Sequence, residues 1–375
     1  MIIYLTYNDQ PSGVYWSQVT DVVAHLNTLS PERVKLVALV SGRGFLGTRR
    51  KIKARSPSAW VIPMVPTMAR WRKNVRLLVG VCLLLRPKAI IARGVMATWM
   101  ALRLRDRKLV RRVCFDGRGA YAAEWEEYRI IDDDALIAQF RPLENEAVNA
   151  SDFRIAVSNA LVAHWRERYG YTGEEHVVIP CTLGSDFTGI AARRLPPADA
   201  STDRVKLVYS GSAAGWQSFE LLERLLVPLL KQDPRIDVLF LTRPDARVEA
   251  LARAFPGRVS SSWITPAEVG AVLGAYDHGI LLRGNSVTNR VSSPTKFAEY
   301  LAAGLPVIIS GHIGDLTAIT VRDGLGTVVR EDGALPQLEH TGTVRKTQLA
   351  DYAQRHFTKE AHNAEYARLL RVITA

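Results

Sequence analysis

The side chains best suited to chemistry in this sequence are Lys296 and Glu299, in the segment SSPTKFAEYLAAGLPVIIS at residues 292–310. In a helix, a spacing of three residues places both on one face. A lysine there can pair with a phosphate, and a carboxylate one turn later can accept hydrogen bonds from the two hydroxyl groups of a ribose. This pattern suits a sugar nucleotide. The alternative is an ordinary surface ion pair, which contributes about 0.3–0.5 kcal/mol.

The helix that would carry these two residues has clear boundaries in the sequence. Ser292 or Ser293 is suited to cap its amino end, and the proline that follows is tolerated in a first turn, so the helix is expected to begin near Thr295. Gly304 would end it with a positive φ, and Pro306 prevents its continuation before the buried strand VIIS. The amino end of such a helix attracts anions.

A second set of chemical groups lies in CFDGRGAYAAEWEEY, residues 114–128. Asp116 and Arg118 stand at the end of a predicted strand, with Glu124 a few residues further on. A carboxylate in this position could orient or deprotonate an acceptor hydroxyl, which contributes about 10²- to 10⁴-fold for a true general base. The alternative is that the Asp116–Arg118 pair only fixes the turn through Gly117 and Gly119.

Several other residues next to predicted strands are candidates for contact with a ligand. A diphosphate needs compensating charge, because a unit ion pair at 4 Å is worth about 4 kcal/mol at an effective dielectric constant of 20. Arg243 in FLTRPD, Arg283 in ILLRGN and Arg290 could supply it, and Arg283 is preferred. Gly13, between the first strand and the first helix, would let a ligand approach the backbone.

Two further motifs do not support a site. The glycines of GRGFLG, residues 42–47, match a dinucleotide-binding pattern, but no acidic residue lies near 20 residues downstream to bind a ribose. The acidic run at residues 132–134 contains Asp-x-Asp, but ahead of ALIAQF it is suited to starting a helix. The histidines have no ligand spacing, so we expect no metal site.

Strand-like and helix-like segments alternate along the chain, which predicts parallel sheets covered by helices on both faces. Residues 192–203 lose this alternation and collect proline and polar residues, which is typical of a linker. The predicted strands before the linker are IIYLTY, VKLVALV, AIIAR, RRVCFD, FRIAVS and HVVIP, and those after it are VKLVYSG, IDVLFLT, GRVSSS, YDHGILLR and LPVIIS.

These elements predict an α/β protein of two Rossmann-like, doubly wound domains facing a central cleft. The first domain, for an acceptor, is expected to span residues 1–190, and the second, for a nucleotide, residues 204–355. The carboxyl-terminal helix at about 356–375 is expected to pack back on the first domain. A ligand would lie between the carboxyl ends of the two sets of strands.

The charge of the chain is concentrated in its first third. Residues 1–115 contain 21 Lys and Arg against 4 Asp and Glu, a net charge of +17, whereas the rest of the chain carries −5. In TMARWRKNVRLLVGVCLLL, Trp71 stands among Arg70, Arg72, Lys73 and Arg76 ahead of a leucine-rich stretch, which suits a helix in a membrane interface. No nucleic-acid recognition motif accompanies the charge. We therefore expect contact with an anionic membrane surface, with a solvated basic surface as the alternative.

The sequence also favours a cytoplasmic location on the inner face of the cell membrane. The start, MIIYLTYND, is suited to a buried strand and not to a signal peptide. The apolar run LLVGVCLLL is too short to span a bilayer. Three cysteines, far apart and odd in number, do not indicate a disulfide framework.

The segment SPTKFAEYLAAGLPVIIS resembles the donor-binding motif of the family 4 glycosyltransferases of the GT-B superfamily. Three further segments are similar to members of that family in the expected order. They are the acidic segment CFDGRGAYAAEWEEY, the end of the amino domain SDFRIAVSNALVAHWRERYG with HVVIPCTLGSDF, and the start of the carboxyl domain VKLVYSGSAAGWQSFELL. The resemblance implies the GT-B fold, a nucleotide-diphosphate sugar as donor substrate, retention of anomeric configuration and no cofactor.

The resemblance also implies roles for individual residues of the carboxyl domain. Glu299 would bind the ribose, Lys296 would stabilise the departing diphosphate, and the backbone of Gly211 and Ser212 would approach a phosphate. Ser293 and Tyr300 belong to the same donor motif. The chain departs from the family pattern in two places, with Val291 where the family often has an acid and Trp216 and Gln217 where it often has a lysine.

Together these observations predict a retaining glycosyltransferase that transfers a sugar to a hydroxyl of a cell-surface polysaccharide or a lipid-linked glycan. Two alternatives remain open at this point. One is a sugar-nucleotide epimerase or hydrolase of the same fold. The other is a non-catalytic basic scaffold that binds a polyanion.

Overall fold

The computed structural model describes residues 1–130, 132–185, 187, 203–211, 218–329 and 335–375. The chain divides into two compact units. The first comprises Met1–Pro180 together with His362–Ala375, and the second comprises Cys181–Ala361. The boundary between them therefore lies ten residues before the expected end of the first domain. Most of the predicted linker lies outside the described residues.

The first unit is built on a seven-stranded parallel sheet, whose strands are apolar runs that helices must cover. The strand order is β3-β2-β1-β4-β5-β6-β7, so the direction of winding reverses between β1 and β4. This reversal is the topological switch point of a doubly wound sheet. The strands are β1 Ile2–Tyr7, β2 Val34–Val40, β3 Trp60–Pro63, β4 Ala89–Arg93, β5 Arg112–Gly117, β6 Phe153–Ala156 and β7 His176–Val178.

Helices connect these strands. Ser158 caps the helix that follows β6, because its hydroxyl accepts a hydrogen bond from the backbone N–H of Leu161 at 3.0 Å. The helices are α1 Gly13–Tyr15, continued by a π-helical turn at Trp16–Thr20 into α2 Asp21–Leu29, then α3 Phe45–Arg55, a 3₁₀ helix at Met68–Lys73 leading into α4 Asn74–Leu85, α5 Gly94–Asp106, α6 Tyr121–Tyr128, α7 Asp134–Ala150 and α8 Asn159–Tyr169.

The second unit contains a six-stranded parallel sheet of the same design. Its order is β10-β9-β8-β11-β12-β13, so its switch point lies between β8 and β11. The strands are β8 Val205–Ser210, β9 Ile236–Leu241, β10 Val259–Ser262, β11 His278–Leu281, β12 Val307–Ser310 and β13 Gly326–Val329. The helices are α9 Phe219–Gln232, α10 Ala246–Ala254, α11 Pro266–Leu273, α12 Val287–Arg290, α13 Thr295–Ala302, α14 Gly314–Arg322 and α15 Thr343–His356.

The last helix, α16 Asn363–Thr374, returns to the first unit. Its apolar residues recur at helical spacing, and Tyr366, Leu369 and Ile373 are buried in the same core as Val22 and Leu26 of α2. This burial is the reason that the chain end belongs to the first unit although it follows the second in sequence.

All of the predicted strands are present in the structure. The structure also contains two strands that the sequence does not predict, β3 and β13. Each lies at an edge of its sheet and has only four residues. None of the residues of β13 is fully buried, so its sequence lacks the continuous apolar run that marks the inner strands.

The basic segment around Trp71 differs from its prediction in one respect. Trp71 is fully buried and its ring contacts that of Trp99 at 5.0 Å between centroids, so it is a core residue and does not face a membrane. The exposed apolar residues lie further along, on α4, where Leu77, Leu83 and Leu84 are exposed. In the described part of the chain, no helix combines the length and the hydrophobicity needed to cross a membrane.

Candidate functional site

The candidate nucleotide site is built at the switch point of the second sheet. Gly211 follows β8 and Arg283 follows β11, and these two strands flank the reversal of winding. In doubly wound sheets, ligands bind outside the carboxyl ends of the strands at this point. Gly211 is partly exposed, and its N–H donates a hydrogen bond to the carbonyl of Leu241 at 3.1 Å. The neighbouring Ser212 lies outside the described residues, as do Trp216 and Gln217.

Tyr300 fixes α13 against the same two strands. Its hydroxyl accepts a hydrogen bond from the N–H of Ser210 at 2.8 Å and donates one to the carbonyl of Ile280 at 3.2 Å. The ring lies over Gly279, where an added Cβ would meet it at 2.4 Å. Because Tyr300 is fully buried, it offers no surface to a ligand and instead positions the helix that carries Lys296 and Glu299.

The amino end of α13 is not capped by a side chain. The helix begins at Thr295, as the sequence predicts. The capping residue is Pro294, and the side chains of Ser292 and Ser293 form hydrogen bonds elsewhere. Ser292 Oγ donates to the carbonyl of Asn289, and the buried Ser293 Oγ accepts from the N–H of Cys181 at 3.2 Å. The predicted serine cap is therefore wrong. First-turn amides without a capping side chain are the groups that bind anions at a helix start.

Lys296 and Glu299 are half-buried on adjacent turns of α13, and burial disfavours the charge of both. Burial lowers the pKa of Lys296 to about 7, and the positive charge of Arg283 adds to this shift. Burial raises the pKa of Glu299 to about 7, against the opposing effect of Lys296. Among the described residues, no side chain forms a hydrogen bond or an ion pair within 4 Å with the Glu299 carboxylate.

The three candidate arginines of this unit have different environments. The Arg283 guanidinium is half-buried and donates to Asn289 Oδ1 and to Ser292 Oγ, both at 3.3 Å. Its N–H also donates to Ser310 Oγ at 2.8 Å, which fixes its backbone to the end of β12. Arg243 and Arg290 are exposed. The charge of Arg283 acts on Lys296, and the role of Arg283 toward a ligand stays a prediction.

Asn289 and Val291 are buried in the loop before α13. Asn289 Nδ2 donates to the carbonyl of Gly284 at 3.0 Å, so this side chain holds the loop together as well as accepting from Arg283. Sequence analysis missed Asn289 because nothing in VTNR distinguishes it from a surface residue. Val291 is a core residue. The chain therefore has no acidic side chain at this position, where the family pattern often has an acid that faces the ligand.

Asp116 lies in a buried charged cluster at the carboxyl ends of β4 and β5. It is 0% exposed, and Arg93 lies directly opposite it in the sheet. Its carboxylate accepts a hydrogen bond from the Tyr4 hydroxyl, lies 2.8 Å from Arg118 Nε and lies 3.7 Å from Arg93 Nη1. In this arrangement Asp116 contacts protein groups on every side and has no access to an acceptor, which favours the alternative of a structural Asp–Arg pair.

The same cluster contains two residues that sequence analysis missed, Arg93 and Asp9. Arg93 is the last residue of β4, and Asp9 follows β1 by two residues. Arg93 Nε lies 3.7 Å from Asp9 Oδ1. Burial raises the pKa of Asp9, while Arg93 opposes the shift. A search of every predicted strand end for charged residues would have found both, since they follow IIYLTY and end AIIAR. Gly13, a few residues later, is partly exposed in the first turn of α1.

Glu124 lies on α6, the helix that follows the Asp116–Arg118 loop, and is half-buried. The start of α6 is held by Glu144 of α7, which is fully buried. Glu144 accepts hydrogen bonds from the N–H groups of Tyr121 and Ala122 at 3.2 and 2.8 Å, and from the Tyr169 hydroxyl at 3.0 Å. Burial raises the pKa of Glu144 to about 7, although these bonds oppose the shift.

No group of three or more His, Cys, Asp or Glu side chains within the described ranges is arranged to hold a metal ion. The acidic run at residues 132–134 instead begins α7. Asp133 Oδ1 accepts a hydrogen bond from the N–H of Leu136 at 3.0 Å, as expected for a helix cap.

Comparison with known proteins shows the fold. No family model matches the chain, and no curated protein matches its sequence. Among solved structures, a sucrose-phosphate synthase from Thermosynechococcus elongatus is similar with a TM-score of 0.66 at 15% identity, covering 99% of this chain and 98% of that one.

Two further structures have comparable similarity. HepE from Anabaena, in complex with UDP, gives a TM-score of 0.63 at 12% identity and covers 99% of both chains. The lipopolysaccharide outer core galactosyltransferase WaaB gives 0.61 at 12% identity, covering 100% of this chain and 99% of that one. With its two parallel sheets of seven and six strands, this chain has the GT-B fold.

The environment of Glu144 predicts a pH dependence of stability. Because its pKa in the folded protein lies above that of an exposed glutamate, its stabilising contribution is complete below about pH 4.3 and is lost as the pH rises through about 7. Glu144→Gln cannot ionise, so it should lack this decrease between pH 5 and 8. Below about pH 5 it should be about 1 kcal/mol less stable than the wild type, since only one acceptor oxygen remains, and this difference should shrink as the pH rises.

Urea unfolding followed by circular dichroism at several pH values measures this slope. Glu126→Gln, which replaces an exposed acid paired with Arg141, is the control and should keep the wild-type slope. Equal slopes in the wild type and Glu144→Gln would contradict the assignment.

Proposed function

We propose that the protein is a retaining glycosyltransferase that uses a nucleotide-diphosphate sugar as donor and a hydroxyl of a surface polysaccharide or lipid-linked glycan as acceptor. The observation that carries this proposal is the half-buried Glu299 carboxylate. It has no hydrogen-bond partner among the described residues and lies one turn from Lys296 on a helix fixed at the switch point. The resemblance of the donor motif and the GT-B fold support the same activity.

In this proposal the ribose hydroxyls donate hydrogen bonds to Glu299. The diphosphate lies at the amino end of α13, where Lys296, Arg283 and backbone N–H groups surround it. As the bond between the sugar and the diphosphate breaks, negative charge grows on the diphosphate, and fixed donors stabilise that charge most in the transition state. Because burial lowers the pKa of Lys296, an anionic ligand beside it would favour its charged form.

We also propose that the first unit docks on an anionic membrane through α4. Leu77 and Leu84 are seven residues apart, as are Arg76 and Leu83, so both pairs lie on one exposed helix face. Arg70 and Lys73, just before α4, are also exposed. An exposed apolar face beside exposed basic residues is typical of a helix that lies in a membrane interface. We call Leu83, Leu84, Arg70, Lys73 and Arg76 the α4 surface.

Glu299→Ala should weaken the binding of nucleotide diphosphates about 10- to 100-fold, because hydrogen bonds to a charged group contribute about 1.5–3 kcal/mol. The fold should be unaffected, since the side chain is half-buried and makes no hydrogen bond to the described residues. Glu299→Gln should lose less affinity. Calorimetry with a set of nucleotide diphosphates measures this effect, with Glu249→Ala on the exposed face of α10 as control. Unchanged affinity in Glu299→Ala would remove the ribose assignment.

Lys296→Ala should lower kcat by about 10²-fold and raise the KM for the donor much less, because the charge it stabilises develops in the transition state. Initial rates with a donor that the wild type uses give both constants, and Lys231→Ala at the exposed end of α9 is the control. An effect confined to KM would indicate ordinary ground-state binding. Analysis of the product separates transfer from epimerisation and hydrolysis, and its anomeric configuration tests retention.

Replacing Arg70, Lys73 and Arg76 by Ser should release the protein from vesicles of acidic phospholipid, because each basic group near such a surface contributes about 1 kcal/mol. Leu83→Ser with Leu84→Ser should weaken binding as well. Binding of the wild type should fall with salt, since charges are screened over about 8 Å at physiological ionic strength.

The matched control is Arg49, Arg50 and Lys51→Ser, which removes the same charge from exposed positions of α3. Co-sedimentation measures vesicle binding. Equal loss in the two triple variants would show that total charge, and not the α4 surface, is responsible. Equal binding to neutral lipid would contradict the membrane proposal.

A further inference from the structure

The helix α3 of the first unit presents a set of basic side chains to solvent. It buries only Ile52, and its sequence FLGTRRKIKAR contains no acidic residue. Arg49, Arg50 and Lys51 are exposed, and Lys53 is half-buried. We call these four basic residues the α3 surface.

The charge of the α3 surface is not balanced by acidic residues. Within the described chain, none of its four side chains forms an ion pair within 4 Å, and residues 33–105 contain no Asp or Glu. Glu32, just before that range, is paired with the amino group of Met1 and with Lys88. Arg49 and Lys53 are four residues apart on the helix, where like charges repel each other. An anionic partner would remove this repulsion.

The positive charge continues from α3 to the start of β2. Burial lowers the pKa of Lys35, and the charges of Arg33 and Lys53 add to this shift, so these three cations lie close together. Proteins that bind single-stranded nucleic acids combine such charge with exposed aromatic rings on which bases stack. The two aromatic residues between positions 33 and 63, Phe45 and Trp60, are both half-buried, and Lys35 Nζ lies 4.6 Å from the centre of the Trp60 ring. The arrangement therefore favours a partner that is recognised by its charge and not by its bases.

The α3 surface differs from the α4 surface in its exposed apolar residues. α4 exposes Leu77, Leu83 and Leu84, whereas α3 exposes one large apolar side chain, Leu46, in its first turn. A helix that lies in a membrane interface needs an apolar face that inserts among the lipids. The α3 surface therefore suits an anionic polymer in water and not a bilayer.

The position of α3 relates this surface to the ligand edge of the first sheet. α3 begins after the carboxyl end of β2 and leads to β3. Ligands of doubly wound sheets bind outside the carboxyl ends of the strands. A polymer that lies along α3 would therefore have one end at the edge where this unit is expected to bind a ligand.

We propose that the α3 surface binds an acidic polysaccharide, whose carboxylate or phosphate groups pair with its basic side chains. In the glycosyltransferase function on which this assignment rests, the acidic polysaccharide is the acceptor. The acceptor is thereby narrowed to a glycan that carries negative charge along its chain. Binding to α3 involves the first unit alone, so it can be measured without a donor.

The test measures binding of the full chain to oligomers of polygalacturonate, which is acidic, and of dextran, which is neutral. The wild type should bind polygalacturonate, more weakly as salt is raised, and should not bind dextran. The triple serine variant at residues 49–51 should lose at least about 10-fold in affinity, because three exposed charges that pair with the polymer are removed. The triple serine variant at Arg70, Lys73 and Arg76 removes the same charge elsewhere and should keep wild-type affinity. Both variants change exposed residues, so the thermal unfolding midpoint should stay near wild type.

The acceptor role is measured separately by transfer from a donor that the wild type uses. The variant at residues 49–51 should raise the KM for an acidic acceptor about 10-fold and leave the affinity for nucleotide diphosphates unchanged. Equal KM values in the wild type and this variant would overturn the acceptor role.

The outcomes separate this inference from the function on which it rests. Equal weakening of polygalacturonate binding in the two triple variants shows that total charge is responsible and overturns the α3 surface. Tighter binding to single-stranded DNA of equal charge than to polygalacturonate identifies a nucleic acid as the partner and also overturns it. A wild-type chain that binds nucleotide diphosphates but no polygalacturonate overturns the inference and leaves the glycosyltransferase standing. A chain that binds polygalacturonate through α3 but no nucleotide diphosphate supports the α3 surface and overturns the glycosyltransferase together with the acceptor role.

Discussion

The arrangement of this molecule depends on one constraint. Its parallel strands are covered on both faces, so charged side chains can lie only near the strand ends. The inner strands β1, β4, β8 and β12 are almost entirely buried. A charged side chain within them would lose its hydration without compensation. At the carboxyl ends the chain emerges from the core, and this is where Asp9, Arg93 and Asp116 lie in one unit and Arg283 in the other. The candidate site therefore follows from the topology of the sheets as much as from its own residues.

Much of this topology could be predicted because the inner strands have an unambiguous pattern. IIYLTY and AIIAR are too apolar for anything but a covered strand, and the capping residue Ser158 fixes the start of α8 locally. β3 and β13 have no counterpart in the prediction; both lie at sheet edges, but so do β7 and β10, which the sequence does predict, so edge position alone does not explain the difference. The start of α13 was predicted near Thr295, where it begins, but the predicted serine cap was wrong, because Ser293 accepts from Cys181, more than a hundred residues away in sequence. Short-range rules carry no information on such a partner.

Because short-range rules do not show which side chains are buried, some residues that the sequence suggests for binding are structural core residues instead. Trp71, in a basic segment, has the composition of a membrane anchor, yet it fills a core position against Trp99. Tyr300 belongs to a motif that resembles a donor site, yet its hydroxyl joins β8 to β11 and its ring requires glycine at position 279. In both cases the amino-acid type suits two roles, and only burial decides between them. Asp9 shows the converse, since it and Arg93 were missed although a search of every predicted strand end for charged residues would have found both.

The charged groups of the two units also differ in how they are compensated. In the first unit Arg93 and Arg118 balance Asp9 and Asp116 within one network, so the cluster needs no ligand to be stable and removing a partner would leave a buried charge. In the second unit, burial favours the uncharged forms of both Lys296 and Glu299. A ligand with negative charge near Lys296 and hydroxyl donors near Glu299 would favour the charged forms of both side chains. In the proposed function, a phosphate alone would satisfy only the first and a neutral sugar only the second, which is the reason that we propose a donor with phosphate and vicinal hydroxyls within about one helical turn of each other.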